Sequence, residues 1–159
     1  MAQQEKTDLW GPLRSLVGSW EGTVKGQPGA GKLEVGIQFV LNGKFLQMKN
    51  RTTCPPQENN PKGGEHQDWG LISFDRTRKL FVFRQFHVEG FVNQYVMDPV
   101  PPDGNTFIFR SETIENIPAG WRARETYRIL NASELVATFE LAGPGKDYEI
   151  YSESRLKRK

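Results

Sequence analysis

Lys32-Leu33-Glu34-Val35-Gly36-Ile37-Gln38-Phe39, then Asn42-Gly43, then Leu46-Gln47-Met48-Lys49-Asn50-Arg51-Thr52, is the stretch whose reading decides the fold. Leu33, Val35, Ile37 and Phe39 fall on one side of an extended chain, and Lys32, Glu34 and Gln38 fall on the other. That period of two marks a strand with one buried face. Asn42-Gly43 then interrupts it, and Asn-Gly between alternating segments is a strong hairpin signal. Beyond the turn, Leu46, Met48, Asn50 and Thr52 share a second face. A connection this short forces the two strands to run antiparallel.

The same pattern repeats outward from this hairpin. Strands are expected at 19–26, 31–41, 44–53, 67–75, 79–88, 91–98, 105–114, 120–130, 133–142 and 147–157. Glu89-Gly90, Asp103-Gly104, Pro118-Ala119-Gly120 and Gly143-Pro144-Gly145 separate later strands, each a turn signal. A ribbon of about ten strands leaves two exposed edges unless the first pairs with the last, and closure removes both. Leu9, Leu13 and Leu16 precede the strands at helical spacing, with Pro12 in the first turn and Gly18 as a stop. The expectation is an all-β chain: a single closed antiparallel up-and-down β-barrel of about ten strands, with a short N-terminal helix capping one end. It forms one domain over residues 1–159. Cys54 to Glu65, the longest irregular stretch, reads as a mobile loop at one mouth.

Composition narrows the functional classes. Twenty-one basic and 19 acidic side chains give a net charge of +2. Setting aside Arg155, Lys157, Arg158 and Lys159 leaves 17 basic against 19 acidic, or −2. The body is near neutral, so a phosphate-tracking surface and a nucleic-acid partner are not expected. The basic C-terminus reads as a solvated end. Cys54 is the single cysteine, placed by Pro55 and Pro56 in a loop, which rules out an internal disulfide and a cysteine-rich zinc site. Met1 to Asp8 is polar and lacks the apolar stretch of a signal peptide. No run approaches the roughly 20 apolar residues of a membrane-spanning helix. A cytoplasmic monomer or homodimer without membrane contact is the expectation. Gly26-Gln27-Pro28-Gly29-Ala30-Gly31-Lys32 matches the opening of a phosphate-binding loop. Leu33 stands where Ser or Thr is required, and the segment opens a strand rather than a helix. It is read as a hairpin loop.

Gly18-Ser19-Trp20, opening the first strand after the short helix, resembles the Gly-x-Trp signature of lipocalins and other calycins. The resemblance implies that Trp20 plugs one barrel end beneath a basic residue of the last strand, for which Arg155 is the candidate. Leu13-x-x-Leu16-x-Gly18-x-Trp20-x-Gly22 resembles the entry segment of nitrobindins, which are ten-stranded barrels related in shape to fatty-acid-binding proteins. His66-x-Asp68-x-Gly70 and His87-x-x-Gly90 resemble further nitrobindin segments, and His87 matches the histidine on the distal side of their haem. The whole chain also resembles uncharacterised bacterial barrels of the same size. Nitrobindins hold the haem iron through a histidine near the C-terminus. Residues 147–159 contain none here, so haem is disfavoured and no cofactor is expected.

Candidate site residues follow from strand parity. A two-residue turn at Glu89-Gly90 would set His87 opposite Val92 and Gln85 opposite Gln94. Phe81, Phe83, Gln85, His87, Val92, Gln94 and Val96 would then face inward. Trp20, Gly22 and Val24 on the first strand, and Phe107, Phe109 and Ser111, Trp121, Ala123, Glu125 and Tyr127, and Tyr148, Ile150 and Ser152 on later strands, are also read as inward. The ligand-binding candidates are Met48, Asn50, Phe83, Gln85, His87, Gln94, Phe109, Ser111, Glu125 and Ser152. An interior this rich in polar groups calls for ordered water or a ligand, because an unpaired buried polar group costs roughly 1–3 kcal/mol. The partner expected is a small lipophilic molecule with a polar end, and no catalysis is assumed. Nitrobindin-like haem binding is one alternative, and an isomerase or cyclase using His87 and Glu125 as acid and base is another. Each of the two also has a structural reading: His87 as a hydrogen-bonded lining residue, and Glu125 in an ion pair or beside water. His66 is read as a loop residue without a role. No metal-ligand cluster stands out.

Overall fold

The computed structural model describes residues 8–159; the reading of the polar stretch Met1 to Asp8 as unlike a signal peptide falls, but for Asp8, outside them. A 3-10 helix, Gly11–Leu16, leads into ten strands. These are β1 (Gly18–Gly26), β2 (Gly31–Val40), β3 (Phe45–Cys54), β4 (Gly64–Asp75) and β5 (Leu80–His87), followed by β6 (Val92–Met97), β7 (Thr106–Glu115), β8 (Arg122–Asn131), β9 (Glu134–Ala142) and β10 (Glu149–Arg158). Each strand pairs antiparallel with its sequence neighbours, and β1 pairs with β10 from Trp20↔Arg158 to Gly26↔Ser152. The sheet is therefore a closed barrel. No helix among the described residues is long and apolar enough to cross a membrane, which says nothing of strands.

One end of the barrel is filled. Leu13 and Leu16 of the 3-10 helix are buried, and Trp20, Leu46, Ile72, Phe83, Tyr95, Phe107 and Phe109 are inaccessible to solvent beneath them. Trp10 closes this end against Phe39 and Phe81, at ring-centroid distances of 5.2 and 5.1 Å. Leu9, expected on the buried face, is exposed, and Trp10 takes its place. The 3-10 form advances the chain by 3.0 rather than 3.6 residues per turn, which changes the buried set. Gly70 lies flat beneath the Phe83 ring, where a Cβ atom would come within 2.1 Å of it.

Several sequence expectations are corrected. The plug over Trp20 is Arg158, not Arg155: its guanidinium lies 4.2 Å from the indole centroid. Arg155 pairs with Thr23, faces outward and is exposed. The basic C-terminus keeps Arg155 and Lys157 exposed on β10, as a solvated end implies, while Arg158 turns in over Trp20. Cys54 ends β3 and is buried. The β3–β4 loop is tied to the β1–β2 loop, because Gln57 bonds both the N–H and the carbonyl of Ala30 and Asn60 donates to the Pro28 carbonyl. A β-bulge between Ile150 and Ser152 turns Ile150 out to solvent and leaves Tyr151 beside the interior. Tyr148 lies outside, 4.2 Å from the Arg124 guanidinium, and Trp121 is also exposed.

The largest correction concerns β6. The β5–β6 connection is a three-residue loop, Val88-Glu89-Gly90, with His87 N–H donating to Phe91 O and Gly90 N–H to His87 O. Gly90 adopts φ +95°, the left-handed position that ends such loops and favours glycine. The pairing becomes Gln85↔Asn93 and Phe83↔Tyr95. A shift of one residue exchanges every side chain between faces. Asn93 and Tyr95 are buried inside, whereas Val92, Gln94 and Val96 are the residues of the other parity.

Candidate functional site

The end opposite the filled half holds a cavity of about 470 Å³. Its mouth is framed by Pro28, Asn60, Glu89 and Ile117 from the loops at that end. Leu33, Val35, Leu135, Ala137, Phe139 and Leu156 make an apolar wall from β2, β9 and β10. The wall built by β3, β4, β5, β6 and β8 is polar and carries Asn50, His66, Asp68, Gln85, His87, Asn93, Glu125 and Tyr127.

Asp68 organises the polar wall. It is 6% exposed. Its Oδ1 accepts from Asn50 Nδ2 at 2.7 Å and Gln85 Nε2 at 2.8 Å, and its Oδ2 lies 3.2 Å from His66 Nε2. A carboxylate this deep requires several donors to offset lost hydration. His66 Nδ1 lies 2.7 Å from Glu89 Oε1. The hydrogen bond to Asp68, with that to Glu89 beside it, outweighs burial and pushes the His66 imidazole up to about 9. His87 Nδ1 lies 3.4 Å from His66 Nε2. Burial lowers the His87 pKa and so favours its neutral ring. The His87 Nε2 atom is buried and has no hydrogen-bond partner.

A second chain of bonds runs deeper. Asn93 Nδ2 donates to Tyr95 Oη at 2.8 Å, and Tyr95 Oη donates to Gln85 Oε1 at 3.2 Å. Asn93 Oδ1 is buried and unpartnered. Tyr127 Oη donates to Glu125 Oε2. Burial, the largest influence, raises the Glu125 carboxyl to about 7 against the opposing Tyr127 bond. Burial also raises the Tyr95 and Tyr127 hydroxyls well above the usual phenol value.

The structure brings five sequence candidates together on the cavity wall: Asn50, Gln85, His87, Glu125 and Ser152. Met48, Phe83 and Phe109 belong to the filled half, and Met48 Sδ meets Tyr127 Oη at 3.3 Å. Ser111 Oγ is taken by the Ala123 N–H. Gln94 faces outward, bonded to Arg84 and Glu112. No hydrogen bond joins His87 to Glu125: Glu125 is bonded to Tyr127, and His87 to His66. Sequence reasoning missed Asp68, Asn93, His66 and Glu89. The alternation His66-x-Asp68 was available as a signal, but a strand start placed at 67 cut His66 off from β4.

No family model matches the chain, and no curated protein matches it. Among solved structures, the crystal structure of Rv2717c from M. tuberculosis is similar, with a TM-score of 0.69. The match covers 98% of this chain and 99% of that one at 16% identity. The likeness is one of fold.

Proposed function

We propose that this protein is a calycin-like binding barrel that encloses a small, largely apolar molecule with one polar end and performs no chemistry on it. The observation that carries the reading is a pair of buried, unpartnered polar atoms, His87 Nε2 and Asn93 Oδ1, on the polar wall of a cavity whose opposite wall is apolar. A neutral His87 ring that accepts at Nδ1 bears its hydrogen on Nε2, which seeks an acceptor. Asn93 Oδ1 seeks a donor. His87 and Asn93 are diagonal neighbours on the inner face, a relation that places side chains roughly 7–8 Å apart. A hydroxyl, carboxyl or amide group at the end of an apolar body answers both. The apolar wall would contribute about 25 cal/mol per Å² of ligand surface removed from water. The cavity volume lies within the usual range of small-molecule sites.

A haem bound as in nitrobindins does not fit the donor set. The C-terminal strand faces the cavity with Tyr151, Ser152, Ser154 and Leu156, none of which is the histidine that such a site uses.

Native mass spectrometry of freshly purified protein should show a small-molecule adduct, and 1-anilinonaphthalene-8-sulfonate should bind at one saturable site. A bare protein with no saturable site would overturn the reading.

A further inference from the structure

We infer that His66, His87 and Glu89 form a binding site for one divalent transition-metal ion at the mouth of the barrel. The site lies at the rim of the cavity and goes beyond the ligand reading, because the ion could bind with the cavity empty.

The fold brings the three residues together from two strands and a turn. His66 lies on β4, His87 ends β5, and Glu89 sits in the loop that follows. Asp68, two residues from His66, pairs with His87 across the β4–β5 ladder. The two imidazole rings face each other with centroids 5.4 Å apart. One ligand atom from each of the three residues lies within 4.8 Å of the other two. His66 Nε2 and His87 Nδ1 are 3.4 Å apart. A tetrahedral ion with bonds of about 2.0–2.1 Å holds its ligand atoms roughly 3.3–3.4 Å from one another. The two histidines are therefore already spaced as one edge of such a site. Glu89 is exposed on its turn and can swing its carboxylate onto the ion.

The donor chemistry selects the class of metal. Two imidazoles and one carboxylate suit zinc, nickel, copper or iron(II), whereas magnesium and calcium prefer oxygen donors throughout. Three protein ligands leave a coordination position open. A fixed carboxylate beside the ligand atoms adds negative charge that favours a cation. Asp68 Oδ1 is fixed by Asn50 and Gln85, and Oδ2 stands 3.2 Å from His66 Nε2. His87 has a further consequence. When Nδ1 binds the ion, Nε2 must carry the hydrogen, so the metal would lock the donor that faces the cavity.

The test uses the untagged full chain, stripped with a chelator and dialysed, titrated with Co²⁺ and followed by visible absorption, with Zn²⁺ as competitor. One equivalent of Co²⁺ should bind with the intense bands of a tetrahedral centre, and Zn²⁺ should displace it. His66→Ala and Glu89→Gln should each weaken binding by at least the roughly 10–100-fold that even an outer-shell partner commands. Glu89→Gln changes a turn side chain whose amide oxygen can still accept from His66 Nδ1, so the fold survives and the variant decides the question even where His66→Ala unfolds. Absence of a one-equivalent transition, or an affinity within twofold of wild type in Glu89→Gln, would overturn the inference.

Discussion

Arg158 lies across the face of Trp20, and its guanidinium also reaches the backbone carbonyls of Ser15, Val17 and Ala132. One side chain thus joins the last strand to the first strand, the 3-10 helix and the β8–β9 turn. Trp20 in turn donates its indole N–H to the Leu16 carbonyl at 2.9 Å. Arg158→Ala removes a cation–π contact and three charge-assisted bonds and should lower stability by about 2 kcal/mol. Arg155→Ala, at an exposed outward position, should stay within about 0.5 kcal/mol of wild type. Urea unfolding of the two variants checks the difference.

Glu125 makes stability depend on pH. Its carboxyl titrates near 7 in the folded chain against 4.5 when unfolded. Below pH 4.5 both states are protonated and no penalty exists. Between the two values the unfolded chain releases its proton and the folded chain keeps it, so stability falls as pH rises. Above 7 the full cost is present, on the order of 3 kcal/mol. Glu125→Gln should flatten this part of the profile when unfolding free energies are compared between pH 4.5 and 8.

The register of β6 is testable through its buried phenol. Tyr95→Phe leaves Gln85 Oε1 and Asn93 Nδ2 without their partner, which should cost about 1–3 kcal/mol. Gln94→Ala, one residue earlier on the outer face, should cost less than about 0.5 kcal/mol. Equal losses in denaturant unfolding would contradict the observed pairing.

Ala137 faces the cavity from the apolar wall. An indole placed there by Ala137→Trp would occupy the hollow rather than compress packed core. The variant should unfold cooperatively and lose saturable binding of 1-anilinonaphthalene-8-sulfonate. Retained binding at wild-type affinity would place the probe outside the barrel.

The barrel itself was legible because alternation is a local property. Leu33 to Phe39 and Leu46 to Thr52 declare their faces without reference to the rest of the chain, and tight turns impose antiparallel order. What was not legible depends on single-residue offsets. Glu89-Gly90 is compatible with a two-residue or a three-residue loop, and only the second places Tyr95 and Asn93 inside. The bulge at Ile150 and Ser152 has the same effect on Tyr151. Arg155 and Arg158 differ by an odd number of residues and so lie on opposite faces, and the choice between them required the β1–β10 register. The polar wall was legible only in part. Asn50, Gln85 and Glu125 followed from parity, whereas Asp68 acts through neighbours on β3 and β5 that no local pattern reveals.

The aromatic residues that hold the barrel together and the side chains that line its hollow occupy opposite ends of the same strands. Replacements near the open rim therefore leave the foundation of the molecule untouched. A lineage could exchange Ala137 or Ser152 for other residues and change what is admitted, while the melting behaviour stayed that of the plugged end.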